Sequence, residues 1–212
     1  MKRKELQYKT VKPILRCTLE RLMEIDEFKP FRLVGGTSLS LRYGHRMSDD
    51  IDLFTDAEYG SLDFQLLQDI LRREFPYCQG DCGEIVGFGT SYLVGNSTND
   101  NVKVDLFYTD PFIRPMEQRD KIRMASVDDI VAMKMDVISR GGRKKDFWDL
   151  HMLRNHYSEE QMISLYEERY PYGATKEECV AGLTNFSVAD AEPDPICLQN
   201  KVWQLVKLDF VK

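Results

Sequence analysis

Two aspartates one residue apart on a predicted strand, downstream of a double glycine, constrain this chain more than any other feature. The segments are Val34-Gly35-Gly36-Thr37 and Ser48-Asp49-Asp50-Ile51-Asp52-Leu53-Phe54. Side chains alternate along a strand, so Asp50, Asp52 and Phe54 share one face while Ile51 and Leu53 take the other. Burying Ile51 and Leu53 against a core leaves both acids at the mouth of a pocket. Like charges held that close repel, and a hard divalent cation that takes oxygen ligands, such as Mg²⁺, removes the cost. Residues 31–34 read as a short apolar strand. Gly35-Gly36 then permits backbone dihedrals and a close phosphate approach that a side chain would block. Thr37 is placed to open a helix over 37–43, whose free N–H groups attract phosphate. Either half alone reads as a plain turn or an exposed strand end. Together, their order and spacing point to phosphate chemistry beside a divalent cation.

A second half of the site is expected downstream. A strand over 102–107 buries Val102, Val104 and Leu106 and turns Asp105 to the other face, where it is a third candidate metal ligand or a solvent-facing acid. Lys134 falls in the middle of the apolar arc of Val127, Ile130, Val131, Val137 and Ile138, at about 100° per residue. A lysine there either snorkels to the surface or aims its charge into a cleft, where it would oppose developing negative charge. Asp146 shares a helix face with Leu150 and Leu153, a second charge on an apolar stripe. The link Arg140-Gly141-Gly142-Arg143 would fold the two helices together. Lys134 and Asp146 then meet, either as catalytic groups or as a buried structural pair.

Elsewhere the pattern predicts one or two helices over 4–27 with Pro13 at a start or kink, and an amphipathic helix over 61–75. Strands are expected near 84–88, 91–94 and 122–125, with 95–101 a turn by its Gly, Asn and Ser content. Helices follow at 127–140, 144–155, 159–169, 176–185 and 198–208, with 189–195 a loop; Ser158 and Thr175 open two of them in capping-box form. This divides the chain into a core at 1–125 and a helical part at 126–212. The five cysteines are scattered and odd in number, which argues for reduced thiols rather than a disulfide framework or zinc cluster. No apolar run reaches membrane-spanning length, so a cytoplasmic protein without a membrane partner is expected. A net charge of -6 argues against coating nucleic acid by bulk electrostatics. Basic residues nevertheless gather at Arg114, Arg119, Lys121 and Arg123, and again at Arg140, Arg143, Lys144 and Lys145. Each cluster is either a solvated face or a nucleotide or RNA contact.

Gly35-Gly36-Thr37-Ser38-Leu39 followed by Gly44-His45-Arg46-Met47-Ser48-Asp49-Asp50-Ile51-Asp52-Leu53-Phe54 resembles the first motif of the AbiEii/AbiGii-type nucleotidyltransferase toxins. Lys134 and the run from Ser139 through Asp146 to Leu150 are similar to that family's later lysine and aspartate motifs. The resemblance covers roughly 31–154. It implies an α+β, polymerase-β-like nucleotidyltransferase fold, with a small mixed sheet followed by a helical C-terminal half. By position, Gly35, Gly36 and Thr37 would contact the triphosphate, with Lys134 on its oxygens. Asp50, Asp52 and Asp105 would bind Mg²⁺, and Asp146 would orient Lys134 or assist deprotonation. His45 and Arg46 lie in the motif without an implied role. The implied activity moves a nucleoside monophosphate from an NTP to an RNA acceptor, foremost tRNA, in a toxin paired with an antitoxin. A small-molecule or protein hydroxyl as acceptor, and a non-catalytic nucleotide-binding module, are the competing readings.

Overall fold

The computed structural model describes residues 5–83 and 87–211. Its sheet is organised around the strand that carries the two acids. That strand, β2 (Asp50–Thr55), follows β1 (Arg32–Leu33) and the helix α2 (Gly35–Tyr43), and pairs antiparallel with β1. Its burial alternates residue by residue, with Ile51, Leu53 and Thr55 inside. On its other side it pairs in parallel with β5 (Asp100–Tyr108). Adding β3 (Tyr77–Gln79), β4 (Gly89–Ser97), β6 (Glu117–Arg119) and β7 (Ile122–Met124) gives one mixed sheet in the order β3-β4-β5-β2-β1-β7-β6.

The sheet core is closed by α1 (Pro13–Glu24), which begins at Pro13, and by α3 (Phe64–Glu74). Proline is tolerated there because the first turn of a helix has no acceptor for its N–H. Leu15, Leu19 and Leu22 of α1 are buried with Phe28, Phe31, Ile51 and Leu53 in one cluster. Each such side chain contributes about 1.5–3 kcal/mol on burial.

A second core fills the helical half: α4 (Val127–Ser139), α5 (Lys144–Leu153), α6 (Glu159–Arg169), α7 (Lys176–Leu183) and α8 (Trp203–Phe210). Ser126, Ser158 and Thr175 cap α4, α6 and α7 by accepting backbone N–H bonds. Helix α2 joins the two cores, since Leu41 belongs to the sheet cluster and Leu39 to the helical one. The carboxylate strands and the helices α4 and α5 thus meet along α2.

Several boundaries differ from the sequence reading. The predicted turn 95–101 is mostly strand, because β4 and β5 pair almost to their tips, with register partners Gly95 and Asn101, then Ser97 and Asp100. The predicted strand 84–88 lies mostly outside the described residues. The last helix starts later than 198 because the preceding segment pairs with the motif loop. Met47 N donates to Ile196 O at 2.9 Å, and Leu198 N donates to His45 O at 2.9 Å.

Candidate active site

The floor of the site is built by strand register. Parallel pairing of β2 with β5 sets Asp52 opposite Asp105, and Asp50 opposite Lys103. Three carboxylates therefore lie on one sheet face, two of them with partners. Asp105 Oδ1 accepts from Ser91 Oγ at 2.5 Å, and its Oδ2 pairs with Lys103 Nζ at 2.7 Å. Asp50 Oδ2 lies 3.4 Å from Lys145 Nζ. Asp52 differs: among the described residues its carboxylate accepts no hydrogen bond. Desolvation at the cleft floor, reinforced by Asp105 and Asp50, pushes its pKa up to about 6. An acid held this way is costly when ionised, unless something cationic enters.

The two glycines make room for side chains. Gly35 takes φ +66°, and a Cβ there would fall 2.3 Å from Asp52 Oδ2. A Cβ on Gly36 would fall 2.0 Å from Arg46 Nη2. Gly36 is thus small because a guanidinium crosses over it, a constraint absent from the sequence reading. The helix begins at Gly35, not Thr37. Thr37 is 1% exposed, and its hydroxyl is shared between Ser48 Oγ, at 2.8 Å, and the carbonyl of Asp50. Expected at the triphosphate, it instead ties α2 to the start of β2 beneath the site.

The opposite wall is a network of buried charge. Lys134 Nζ lies 2.6 Å from Asp146 Oδ1 and 2.7 Å from Asp149 Oδ2. Asp149, fully buried, also accepts from Arg46 through Nε at 2.7 Å and Nη2 at 2.8 Å, and His45 Nε2 sits 2.7 Å from its Oδ1. Asp146 Oδ2 accepts from the backbone N of Arg143 at 3.1 Å and from its Nε at 3.2 Å. Burial alone would push the Lys134 ammonium down, but Asp146 and Asp149 outweigh it and hold its pKa above the usual lysine value. Burial likewise raises Asp149, yet Arg46 and Lys134 keep it well below the usual carboxylate range. Bidentate guanidinium–carboxylate geometry of this kind fixes orientation as well as charge.

Floor and wall enclose a cleft of about 850 Å³. Gly35, Gly36, Asp50, Asp52, Asp105, Lys134 and Asp146 all line it, and Thr37 does not. Asp149 lies in the run that resembles the later motif but has no role assigned there, although it stands three residues beyond Asp146 on the same side of α5. The signal was the pair His45-Arg46, a motif segment whose partner was missing. Of the basic clusters, Arg140, Arg143 and Lys145 line the cleft, whereas buried Lys144 pairs with Asp194 at 2.9 Å. Arg114 and Arg123 are spent on structure, on Asp128 and Glu168 and on the carbonyls of Met23, Phe28 and Phe31. All five cysteines are free. No helix among the described residues is long and apolar enough to cross a membrane.

A family model for the nucleotidyl transferase AbiEii toxin of type IV toxin–antitoxin systems matches residues 17–205. The chain belongs to the AbiEii family. It is therefore a nucleotidyltransferase of the toxin class, with an NTP as donor and an antitoxin as counterpart. An uncharacterised protein of Aquifex aeolicus, aq_aa25, is 31% identical over 163 residues, 73% of each chain. Among solved structures, MenT4, a nucleotidyltransferase toxin of Mycobacterium tuberculosis, superposes with a TM-score of 0.61 at 15% identity, covering 92% of this chain and 81% of that one. JHP933 of Helicobacter pylori gives 0.56 at 17% identity, over 92% and 85%. At such identities the likeness shows the shared nucleotidyltransferase fold, the α+β arrangement expected of an AbiEii protein.

Proposed function

We propose that this AbiEii protein transfers a nucleoside monophosphate from an NTP to an RNA acceptor, foremost tRNA, in a Mg²⁺-dependent reaction. The observation that carries the reading is Asp52, a carboxylate with no hydrogen-bond donor among the described residues, set beside Asp50 and Asp105 and pushed up to about 6. Among the described residues no three His, Cys, Asp or Glu side chains are gathered closely enough to hold a metal ion by themselves. An open set of carboxylates suits Mg²⁺, which keeps several waters and takes phosphate oxygens as further ligands. Asp50 and Asp52 would hold it, with Asp105 completing the set once Lys103 and Ser91 give way. When bound, the cation supplies Lewis-acid charge to the reacting phosphate and lowers the pKa of an attacking hydroxyl.

The chain's own groups do the remaining work. Gly35 and Gly36 would let the triphosphate approach the first turn of α2, whose N–H groups have no acceptor within the helix. Lys134 cannot leave its two aspartates without exposing them, so it acts as a fixed positive wall that is not reoriented during the reaction. Asp146 and Asp149 position that ammonium, and Arg46 and His45 position Asp149. Lys145 and Arg143 stand at the rim, where a departing polyphosphate would meet them. Incubation of the full chain with each labelled NTP and total tRNA, with Mg²⁺ present or chelated, tests the reading. Label on tRNA that needs Mg²⁺ and disappears in Asp52→Ala is expected. Equal transfer by that variant, or none by the native chain with any NTP, would sink it.

A further inference from the structure

The cleft has a third wall whose chemistry the transfer reaction leaves unused. Tyr59, Phe88 and Tyr108 line it together, from the loop after β2, the residue before β4 and the end of β5. Tyr59 packs 5.3 Å from Tyr108 and 5.9 Å from Phe88, centroid to centroid. Tyr108 is anchored inward on Phe64 at 5.6 Å, and its hydroxyl accepts from Leu62 N at 2.9 Å. The outer two rings are open, Phe88 by 75% and Tyr59 by 61%.

Phe88 is nonetheless fixed at its backbone, because its carbonyl accepts from Tyr108 N at 2.7 Å. Gly89 follows at φ +157°, where a Cβ would strike Leu106 O at 2.1 Å. A pinned backbone thus carries an exposed apolar ring at the mouth of a charged cleft. Single exposed apolar side chains are ordinary, whereas adjoining ones that line a cleft together mark a binding face. Lys145 stands at Asp50, the start of β2, whereas Tyr108 pairs with Thr55 at its end; Arg140 and Arg143 line the cleft as well, beside Asp136 and Asp146, and the floor is acidic. A ligand matching both ends has a polyanionic part and a flat apolar part, as a nucleotide does.

We propose that Phe88 and Tyr59 form a stacking platform for a nucleobase, either the base of the NTP donor or the terminal base of the RNA acceptor. The inference rests on the nucleotidyl-transfer reading and names the part of the substrate that the aromatic wall recognises. Stacking on such a platform contributes roughly 1–3 kcal/mol per base and tolerates different bases. Both rings are exposed, so truncating them spares the core.

Equilibrium binding to the full chain, with no turnover required, provides the test. The probes are NTP, a short single-stranded RNA and inorganic tripolyphosphate, the last having the charge without the base. Phe88→Ala should weaken NTP or RNA binding about ten-fold and leave tripolyphosphate unchanged, while Phe88→Tyr should restore binding. Loss confined to NTP assigns the donor base, and loss confined to RNA assigns the acceptor base; each supports the platform. Unchanged binding of both overturns it and leaves a protein partner as occupant of the aromatic face. Equal loss for tripolyphosphate also overturns it. Because binding alone is read, a failed tRNA-labelling assay leaves this test standing, and a failed stacking contrast leaves the labelling assay standing.

Discussion

The floor and the helical wall of the cleft both bring acids out of water, and they treat them in opposite ways. On the wall, Asp149 and Asp146 are met by Arg46, Lys134, His45 and Arg143, and Asp149 is held far below its ordinary pKa. On the floor, Asp52 is desolvated beside two other acids and pushed up to about 6. A buried charge that is fully paired has its geometry fixed and nothing left to offer a ligand. A charge left unpaired at equal proximity is unstable until a ligand arrives. The difference separates the part of the site that is prebuilt from the part that the substrate and its cation complete.

Asp52→Asn removes the unpaired charge of the floor, and a loss of transfer of about 10³-fold or more is expected. The metal-free variant should at the same time be more stable than the native chain. With a folded pKa of about 6 against an ordinary 3.8, the folded state binds more protons than the unfolded one between those values. Stability therefore falls as pH rises from about 4 to about 6, and the penalty is complete above that. Discounted for partial exposure, it is about 1–3 kcal/mol at pH 8. Urea unfolding in chelator should show the variant ahead at pH 8 and level with the native chain near pH 4. A variant less stable at pH 8 would place Asp52 with the paired acids.

Asp149→Ala attacks the other side and should do the reverse, losing stability together with activity. Removing it strands Arg46 and Lys134 in a buried setting, a cost of about 3–5 kcal/mol. Its folded pKa lies below 3.8, so its contribution is full above that value and fades only as pH falls further. The deficit should thus stay constant from pH 5 to 8 in urea titrations, unlike the pH-dependent gain of Asp52→Asn. Gly36→Ala is a milder form of the same injury. Its Cβ forces the Arg46 guanidinium off one of its bonds to Asp149, at about 1–3 kcal/mol. Transfer should fall about ten-fold or more.

The floor was legible in the sequence, and the wall only in part. Alternation of Asp50, Ile51, Asp52 and Leu53 is a local property, and the strand reports it faithfully. Lys134 and Asp146 were visible as charges on apolar stripes, again within one helix each. Asp149 was not, because what makes it a hub is Arg46, 103 residues away in the chain. The arginine over Gly36 is invisible for the same reason, since the side chain that fills the space of a Cβ there comes from a distant part of the motif. Residues 95–97 and 100–101 carry turn composition, yet cross-strand pairing holds them in strands. Local chemistry set the acid face, while tertiary contacts chose the partners that distinguish paired from unpaired charge.

The smallest effect on stability, and a sensitive probe of the floor, is expected from Lys145→Ala. Lys145 and Asp50 are 3.4 Å apart with side chains 36% and 39% exposed, so their pair contributes no more than about 0.5 kcal/mol. The ammonium nevertheless stands where a cation bound to Asp50 would place its charge. If Asp50 is a metal ligand, removing Lys145 removes a competitor, and divalent cation affinity of the nucleotide-free protein should rise by roughly 2- to 5-fold. NTP affinity should move the other way by a similar factor, since a cation at the rim is lost to the polyphosphate. Calorimetric titration with Mg²⁺ alone and then with NTP separates the two. Opposite signs place Lys145 between floor and ligand, as a counter-ion that changes partner when the substrate arrives. A cation affinity that stays put would mean that Asp50 binds no metal and belongs, like Asp149, among the acids already satisfied by the protein.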